Sequence, residues 1–294
     1  MTKQSFFLLL SLSILFFACK NTDSSDALTN SNQVMQTLEH DGVTREYIVY
    51  VPDSYDPGSK VPLLFNFHGF GGDAKEFMQY ADMRATSESG NFILVYPQGT
   101  LINGFSHWNA ALNSPDNKSN ADDLGFMEAL ISKLSSDYMI DPERIYACGY
   151  SNGGMFSYAL ACYHSDLIAA VGAVSGTMLD LDCTPSHPMP VIILHGTSDD
   201  VLPYNGSDDY NSVEAILNFW NDFNNTGTSP VENSVDDNGT TIEHYRYTHK
   251  NNEVSVEHYK IIGGDHLWFD LNYQGSNTGE LIWNFVSGYT INDE

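Results

Sequence analysis

The chain changes character along its length before any chemistry is considered. Residues Phe6 to Ala18 form one apolar run behind Lys3, and Lys20 to Ser31 are polar and rich in Asn, Ser, Thr and Asp. From residue 32 onward, short apolar runs alternate with longer amphipathic segments. "VMQTLEHDGVTREYIVYVP" holds two alternating segments around Asp41-Gly42, the signature of a β-hairpin. "VPLLFNFHG" (61–69) and "FILVYPQG" (92–99) are short apolar runs of the kind that buried strands show. In "DDLGFMEALISKLSSDY" (122–138), Leu124, Met127, Leu130, Ile131 and Leu134 share one helical face. "DPERIYACGYS" reads as a turn and a strand over Arg144 to Cys148, and Met155 to Cys162 continues in a helical pattern. Further strands are expected at 167–176, 189–196 and 256–264, and helices at 210–223 and 279–286.

Strands alternating with helices imply an α/β fold, with a mainly parallel central sheet and helices on both faces. Antiparallel pairing is expected only at the N-terminal hairpin. No internal repeat or linker interrupts residues 32–294, which read as one domain.

The apolar run at the N-terminus is too short to span a bilayer and reads as a signal-peptide core. It ends in Phe16-Phe17-Ala18-Cys19. Residues 1–18 therefore resemble a bacterial lipoprotein signal, cut before Cys19 and lipidated on it, with 19–31 as a flexible tether. A plain secretory signal cut nearby is the alternative. Either way the chain is exported, and the lipoprotein form implies an anchor in the bacterial outer membrane. Export permits disulfides. With Cys19 carrying lipid, Cys148, Cys162 and Cys183 remain, and three cannot all pair. Cys148 lies in an apolar run and is expected as a buried thiol, which leaves Cys162 with Cys183.

Charge narrows the partners. Twelve Lys and Arg face 38 Asp and Glu, a net charge of −26. Such a surface repels phosphate backbones, so nucleic acid is excluded as a partner and neutral substrates are favoured.

"CGYSNGGMF" (148–156) carries the candidate chemistry. Ser151 follows a strand and precedes a helix, the context in which Gly-x-Ser-x-Gly forms a strained turn that exposes the hydroxyl. In such a sheet, functional groups gather beyond the carboxyl ends of the strands. A serine hydroxyl needs a base. Of ten histidines, His266 in "GGDHLW" follows the last expected strand and is the best candidate. His195 ends a strand and is expected to hydrogen-bond a turn. His244 and His258 sit in alternating segments and are expected to be partly exposed. The base needs a carboxylate to hold its tautomer. "HGTSDDVLPY" (195–204) offers Asp199 and Asp200. The order serine, aspartate, histidine is that of an α/β-hydrolase. Developing negative charge needs donors. The backbone N–H of Asn152 is one, and that of Phe70 in "HGFGGD" (68–73) is the natural second. His68 and Gly69 would shape this loop rather than react. Trp108 and Trp268 are candidates for lining an acyl or sugar pocket, with core packing as the alternative. No His-Glu-x-x-His pattern occurs, and neither a metal site nor a cofactor is expected.

The segments "PLLFNFHGFGG", "DDLGFMEALISKLSSDYMIDPERIYACGYSNGGMFSYALAC", "VIILHGTSDDVLPY" and "GGDHLW" together resemble the secreted esterases grouped with polyhydroxybutyrate depolymerases and with the carbohydrate-esterase-family-1 feruloyl and acetylxylan esterases. The likeness runs from about residue 43 to 268 and into the last helix. It implies an α/β-hydrolase fold and the triad Ser151, Asp199 and His266, and so favours Asp199 over Asp200. Relatives often carry cysteines at positions similar to Cys162 and Cys183. They often have Gly where Asp265 stands and Pro where Phe269 stands, so the rim beside His266 differs here. Some have extra cysteines between the acid and the base. None occurs here between Cys183 and His266, and 224–255 is expected as a more mobile loop.

The resemblance implies a feruloyl or acetyl esterase acting on polysaccharide-derived esters through an acyl-enzyme. A polyhydroxybutyrate depolymerase is the alternative, so the substrate is a small or a polymeric ester. A peptidase is disfavoured because there is no room for a gating domain. A non-catalytic carbohydrate-binding lipoprotein is disfavoured because every triad member is present. The oligomeric state is left open.

Overall fold

The structure, a computed structural model, describes residues 32–112, 117–227, 229–248 and 254–291. The expected signal peptide (1–18), the lipidation site Cys19 and the tether (19–31) lie outside the described residues. The chain runs β1 (Gln33–His40), β2 (Val43–Tyr50), β3 (Val61–Phe67), α1 (Ala74–Tyr80), α2 (Arg84–Gly90), β4 (Ile93–Pro97), β5 (Thr100–Ile102) and β6 (Phe105–His107). It continues through α3 (Asp123–Asp137), β7 (Ile140–Tyr150), α4 (Asn152–Tyr163), β8 (Ala170–Val174), β9 (Val191–Gly196) and α5 (Val213–Phe223). It closes with β10 (Val231–Asp237), β11 (Thr240–Thr248), β12 (Ser255–Ile261) and α6 (Thr278–Val286).

Ten strands form one sheet in the order β1-β2-β4-β3-β7-β8-β9-β12-β11-β10, and β5 pairs with β6 apart from it. The middle, from β4 through β3, β7, β8 and β9 to β12, is parallel throughout. β3, β4, β8 and β9 are almost wholly apolar because both faces are covered. Successive residues of β3 show it. Phe65 joins the core layer under α3, α4 and α5, while Leu64 joins the layer with α1 and α6. A strand's side chains alternate between faces, so one apolar run feeds two cores.

The expected hairpin forms as β1–β2, with His40 opposite Val43. Asp41 and Gly42 both take positive φ, as a two-residue hairpin turn demands. Antiparallel pairing is not confined to it, which corrects the sequence-based expectation. β2 also pairs antiparallel with β4, and β10–β11–β12 form an antiparallel meander at the other edge. Much of the expected loop at 224–255 is therefore β10 and β11. The signal was present: Asn238-Gly239 is a two-residue turn with both φ positive. It was obscured because "VENSVDD" is mostly polar, as an edge strand can be.

Cys162, in α4, is bonded to Cys183 with S–S 2.06 Å and Cα–Cα 5.6 Å. Cys148 is free and fully buried in β7, and burial pushes its thiol pKa far up, so it is inert.

Candidate active site

β7 runs into α4 through a single residue. Ser151 has φ 55° and ψ −119°, a left-half conformation that costs a non-glycine residue energy. The fold holds it there. Its N–H donates to the Val174 carbonyl at 2.9 Å, and its own carbonyl accepts from Met155 N–H at 2.9 Å. The flanking glycines are required by contact. A Cβ on Gly153 would stand 2.1 Å from the Phe67 carbonyl oxygen, and one on Gly149 would stand 2.5 Å from the Gly153 carbonyl. Only bare backbone lets β3, β7 and α4 meet this closely. The N-terminus of α4 points its free N–H groups at the serine, where they favour negative charge.

Three loops at the carboxyl ends of parallel strands converge here. Asp199 follows β9 and His266 follows β12. His266 Nε2 lies 2.8 Å from Ser151 Oγ, and His266 Nδ1 lies 2.8 Å from Asp199 Oδ2. A carboxylate only accepts, so Nδ1 carries the imidazole proton and Nε2 is left to accept the serine proton. The structure thus joins the sequence-predicted Ser151, Asp199 and His266 in one hydrogen-bonded chain. Asp200, the other aspartate of the turn, points to solvent.

Asp199 is buried, and burial alone would raise its pKa. Hydrogen bonds from His195, His266 and the Leu202 N–H outweigh that and hold it far below the usual carboxylate range. Its Oδ1 accepts from the N–H groups of Val201 at 3.0 Å and Leu202 at 2.8 Å. The acid is therefore an anion with both oxygens occupied.

The glycine-rich loop after β3 lies against the nucleophile. Among the described residues, neither the Phe70 nor the Asn152 backbone N–H has a protein acceptor. These are the two donors expected for an oxyanion. His68 sits beneath the loop, fully buried. Its Nε2 accepts from Gly99 N–H at 3.0 Å, so its Nδ1 carries the proton and donates to the Gly69 carbonyl at 2.7 Å. Burial pushes its pKa down to about 4, although the Gly69 bond works the other way.

Several supporting groups carried no sequence signal, since each is set by a contact across the fold. Tyr150 OH donates to the His266 carbonyl at 2.8 Å, and Ser175 Oγ donates to that of Leu267 at 2.9 Å. Both fasten the histidine loop. The Asn152 side chain accepts from Trp108 N–H at 2.8 Å and donates to the Trp108 carbonyl at 3.0 Å, tying the segment after β6 to the elbow. The Gly71 N–H donates to the Ser106 carbonyl at 2.7 Å, which ties β6 to the oxyanion loop.

The two tryptophans are both buried. Trp108 is 0% exposed and donates from its indole to the His68 carbonyl at 3.1 Å, so it is a strut under the loop. Trp268 is also buried, edge-on to Phe77. Their burial favours the core-packing alternative for both. Among the exposed aromatics beside the site are Phe70 at 48% and Phe105 at 56%, stacked with ring centroids 5.8 Å apart. Sequence reading missed this because Phe105 sits on a two-strand hairpin whose turn, Asn103-Gly104, went unread. His258 also departs from expectation. It is fully buried, with Nε2 2.8 Å from Tyr204 OH, and burial lowers its pKa to about 3.

A family model described as phospholipase/carboxylesterase matches residues 55–238. A bifunctional acetylxylan esterase/xylanase of Neocallimastix patriciarum is 28% identical over 255 residues, covering 85% of this chain and 34% of that protein. Feruloyl esterase B of Piromyces equi is 27% identical over 264 residues, covering 84% of this chain and 46% of that protein. The chain thus spans about a third to a half of these relatives' length. An acetyl xylan esterase structure from Aspergillus awamori aligns with TM-score 0.61 at 15% identity, over 86% of this chain and 99% of that one. A ferulic acid esterase from Anaeromyces mucronatus, solved with ferulic acid, aligns with TM-score 0.56 at 17% identity, over 87% of this chain and 89% of that one. These structural likenesses carry the α/β-hydrolase fold. The family match spans well over half the chain, from the strand before the oxyanion loop past the acid turn, and the chain belongs to the phospholipase/carboxylesterase family.

Proposed function

We propose that this chain is a serine carboxylic-ester hydrolase acting on feruloyl or acetyl esters of polysaccharide. The observation that carries it is the unbroken chain from Ser151 through His266 to Asp199, beside two backbone N–H groups without protein acceptors. His266 Nε2 takes the serine proton as Oγ attacks the ester carbonyl. The carbonyl oxygen becomes an oxyanion and accepts from the Phe70 and Asn152 N–H groups. His266 then returns the proton to the leaving alcohol, which leaves an acyl-serine. Water, deprotonated by the same nitrogen, releases the acid and restores Ser151. Asp199 stays ionised throughout and stabilises the imidazolium.

Two things support the substrate class. Relatives covering most of this chain are named as feruloyl and acetylxylan esterases. The Phe70–Phe105 pair presents flat apolar surface next to an oxyanion donor, which suits a planar aromatic acyl group. Export and lipidation at Cys19 complete the reading, and metabolic labelling with a fatty-acid probe, compared with Cys19→Ser, tests them.

The decisive assay compares wild type with Ser151→Ala on a short p-nitrophenyl ester, methyl ferulate, acetylated xylan and polyhydroxybutyrate film. Turnover of methyl ferulate or acetylated xylan, lost by about 10⁵-fold in Ser151→Ala, is expected. Degradation of the film alone would replace this reading with a polyester depolymerase. Equal rates for both proteins on every substrate would remove Ser151 as nucleophile.

A further inference from the structure

Asp199 stands between two imidazoles. Its Oδ2 lies 2.8 Å from His266 Nδ1 and 3.2 Å from His195 Nε2. His195 is in β9, four residues before the acid, and is 1% exposed. The same Nε2 lies 2.8 Å from the Leu202 carbonyl. Both neighbours only accept, so Nε2 carries the proton. The Nδ1 atom is buried and has no partner among the described residues. A buried, unpaired lone pair destabilises a fold, and an apolar side chain of similar volume would avoid it. The turn is closed by the His195 bond to the Leu202 carbonyl, as its sequence position predicts, and also by the Val201 and Leu202 N–H groups, which hold Asp199 Oδ1. What His195 adds is an N–H, hydrogen-bonded to the Leu202 carbonyl, whose nitrogen also stands 3.2 Å from the one oxygen that orients His266.

We infer that His195 is a positioning residue for ester hydrolysis: its Nε2–H fixes Asp199 Oδ2 toward His266 and shares the charge that this oxygen offers. This rests on the reading of Ser151, His266 and Asp199 as the reacting set. Two consequences follow from the sharing. Without His195 the carboxylate is free to turn, so productive His266 geometry is populated less and kcat falls. Without it, Oδ2 also gives its full charge to His266, which becomes more basic, so the acid limb of kcat/KM moves to higher pH.

Burial moves the titratable groups packed around the pair away from that limb. Tyr150 from β7 and Tyr204 from the loop after β9 have pKa values raised well above their ordinary value by burial. His258 from β12, also buried, has its pKa lowered to about 3. Asp200 and Asp265, next in sequence to the acid and the base, are solvent-exposed and screened.

The test uses His195→Gln, which keeps an N–H donor at similar reach, and His195→Leu, which keeps volume without one. Kinetics would be read on the p-nitrophenyl ester from pH 5 to 9. His195→Leu is expected to lose about tenfold in kcat, the scale on which outer groups orient a primary one, with its acid limb moved up. His195→Gln is expected to recover most of kcat and the wild-type limb. A folded His195→Leu with wild-type kcat and an unmoved limb overturns the inference, as does equal loss in both variants with neither limb moved. Should His195→Leu not fold, nitrogen-15 spectroscopy of the wild-type imidazoles decides: an Nδ1–H tautomer at His195 overturns the inference, and Nε2–H is required by it. Failure of the underlying triad reading shows separately, as activity that survives Ser151→Ala.

Discussion

The chain writes the same two letters, His-Gly, at the ends of two parallel strands. His68-Gly69 follows β3 and His195-Gly196 ends β9. Both histidines are buried. His68 spends both ring nitrogens on backbone, donating to Gly69 and accepting from Gly99, and so holds the shape of the oxyanion loop. His195 spends one nitrogen on Leu202 and Asp199 and leaves the other unpaired. The first is a complete structural knot. The second faces the acid and is incomplete. Sequence context alone does not separate them, because the difference lies in what the next loop brings to the ring.

The largest effect expected on the acid side comes from Asp199→Asn. Its amide cannot enforce the Nδ1–H tautomer of His266, and kcat should fall by about 10⁴-fold with the fold retained. Asp200→Asn, one residue on and exposed, should stay within twofold by the same p-nitrophenyl assay, a bound taken from the rule that such surface changes cost about 0.5 kcal/mol or less. Comparable losses in both would break the assignment of the acid.

On the oxyanion side, His68→Ala strands the Gly99 N–H and the Gly69 carbonyl in the core. A loss of about 2–4 kcal/mol in stability is expected from two unpaired buried groups, read as a lower urea midpoint. The loop that carries Phe70 loosens with it, so kcat falls as well. A variant that lost activity with full stability would make His68 something other than a loop brace.

Acid should weaken the fold through the buried histidines. His68 and His258 have folded-state pKa values of about 4 and about 3, below the ordinary 6.5. The unfolded chain then binds more protons than the folded one at any pH between those values. The stability they confer is complete above pH 6.5 and is lost as pH falls toward the folded values. Between pH 6.5 and 4 the loss is on the order of 5 kcal/mol, with Asp199, held low in the same sense, giving way further down. Denaturation midpoints across that range test this, and His258→Gln should flatten the profile by about half. A profile flat from pH 7 to 4.5 would mean that neither imidazole is kept neutral by burial.

A modest effect on substrate binding is expected at Phe105. Its exposed ring stacks on Phe70 without supporting the loop's backbone. Phe105→Ala should raise KM for methyl ferulate by about threefold to tenfold, the worth of one aromatic contact, and leave p-nitrophenyl acetate nearly unchanged. Equal effects on both esters would place the aromatic acyl group elsewhere.

Much of this molecule is legible in one dimension, and the reason differs by element. The central strands announce themselves because burial on both faces forces unbroken apolar runs, as in "VPLLFNF" and "VIILHG". The elbow is legible because backbone crowding at Gly149 and Gly153 forbids any side chain, so the chemistry leaves a spelling. The β10–β11 hairpin left only its Asn-Gly turn, since an edge strand is under little pressure to be apolar.

Alone, the sequence determined the fold class, the strand-to-helix turn at Ser151 and the loops that carry the residues of the proposed site. Each of these depends on local sterics or on burial periodicity, which act within a few residues. Tertiary structure decided the rest. It buries Asp199 against His266 and leaves Asp200 exposed, and it buries Trp108 and Trp268. It left Phe70 and Phe105 exposed, and it set His195 against the acid. Those outcomes depend on which atoms lie within about 3 Å after strands far apart in sequence pair, because hydrogen bonds act only at that range.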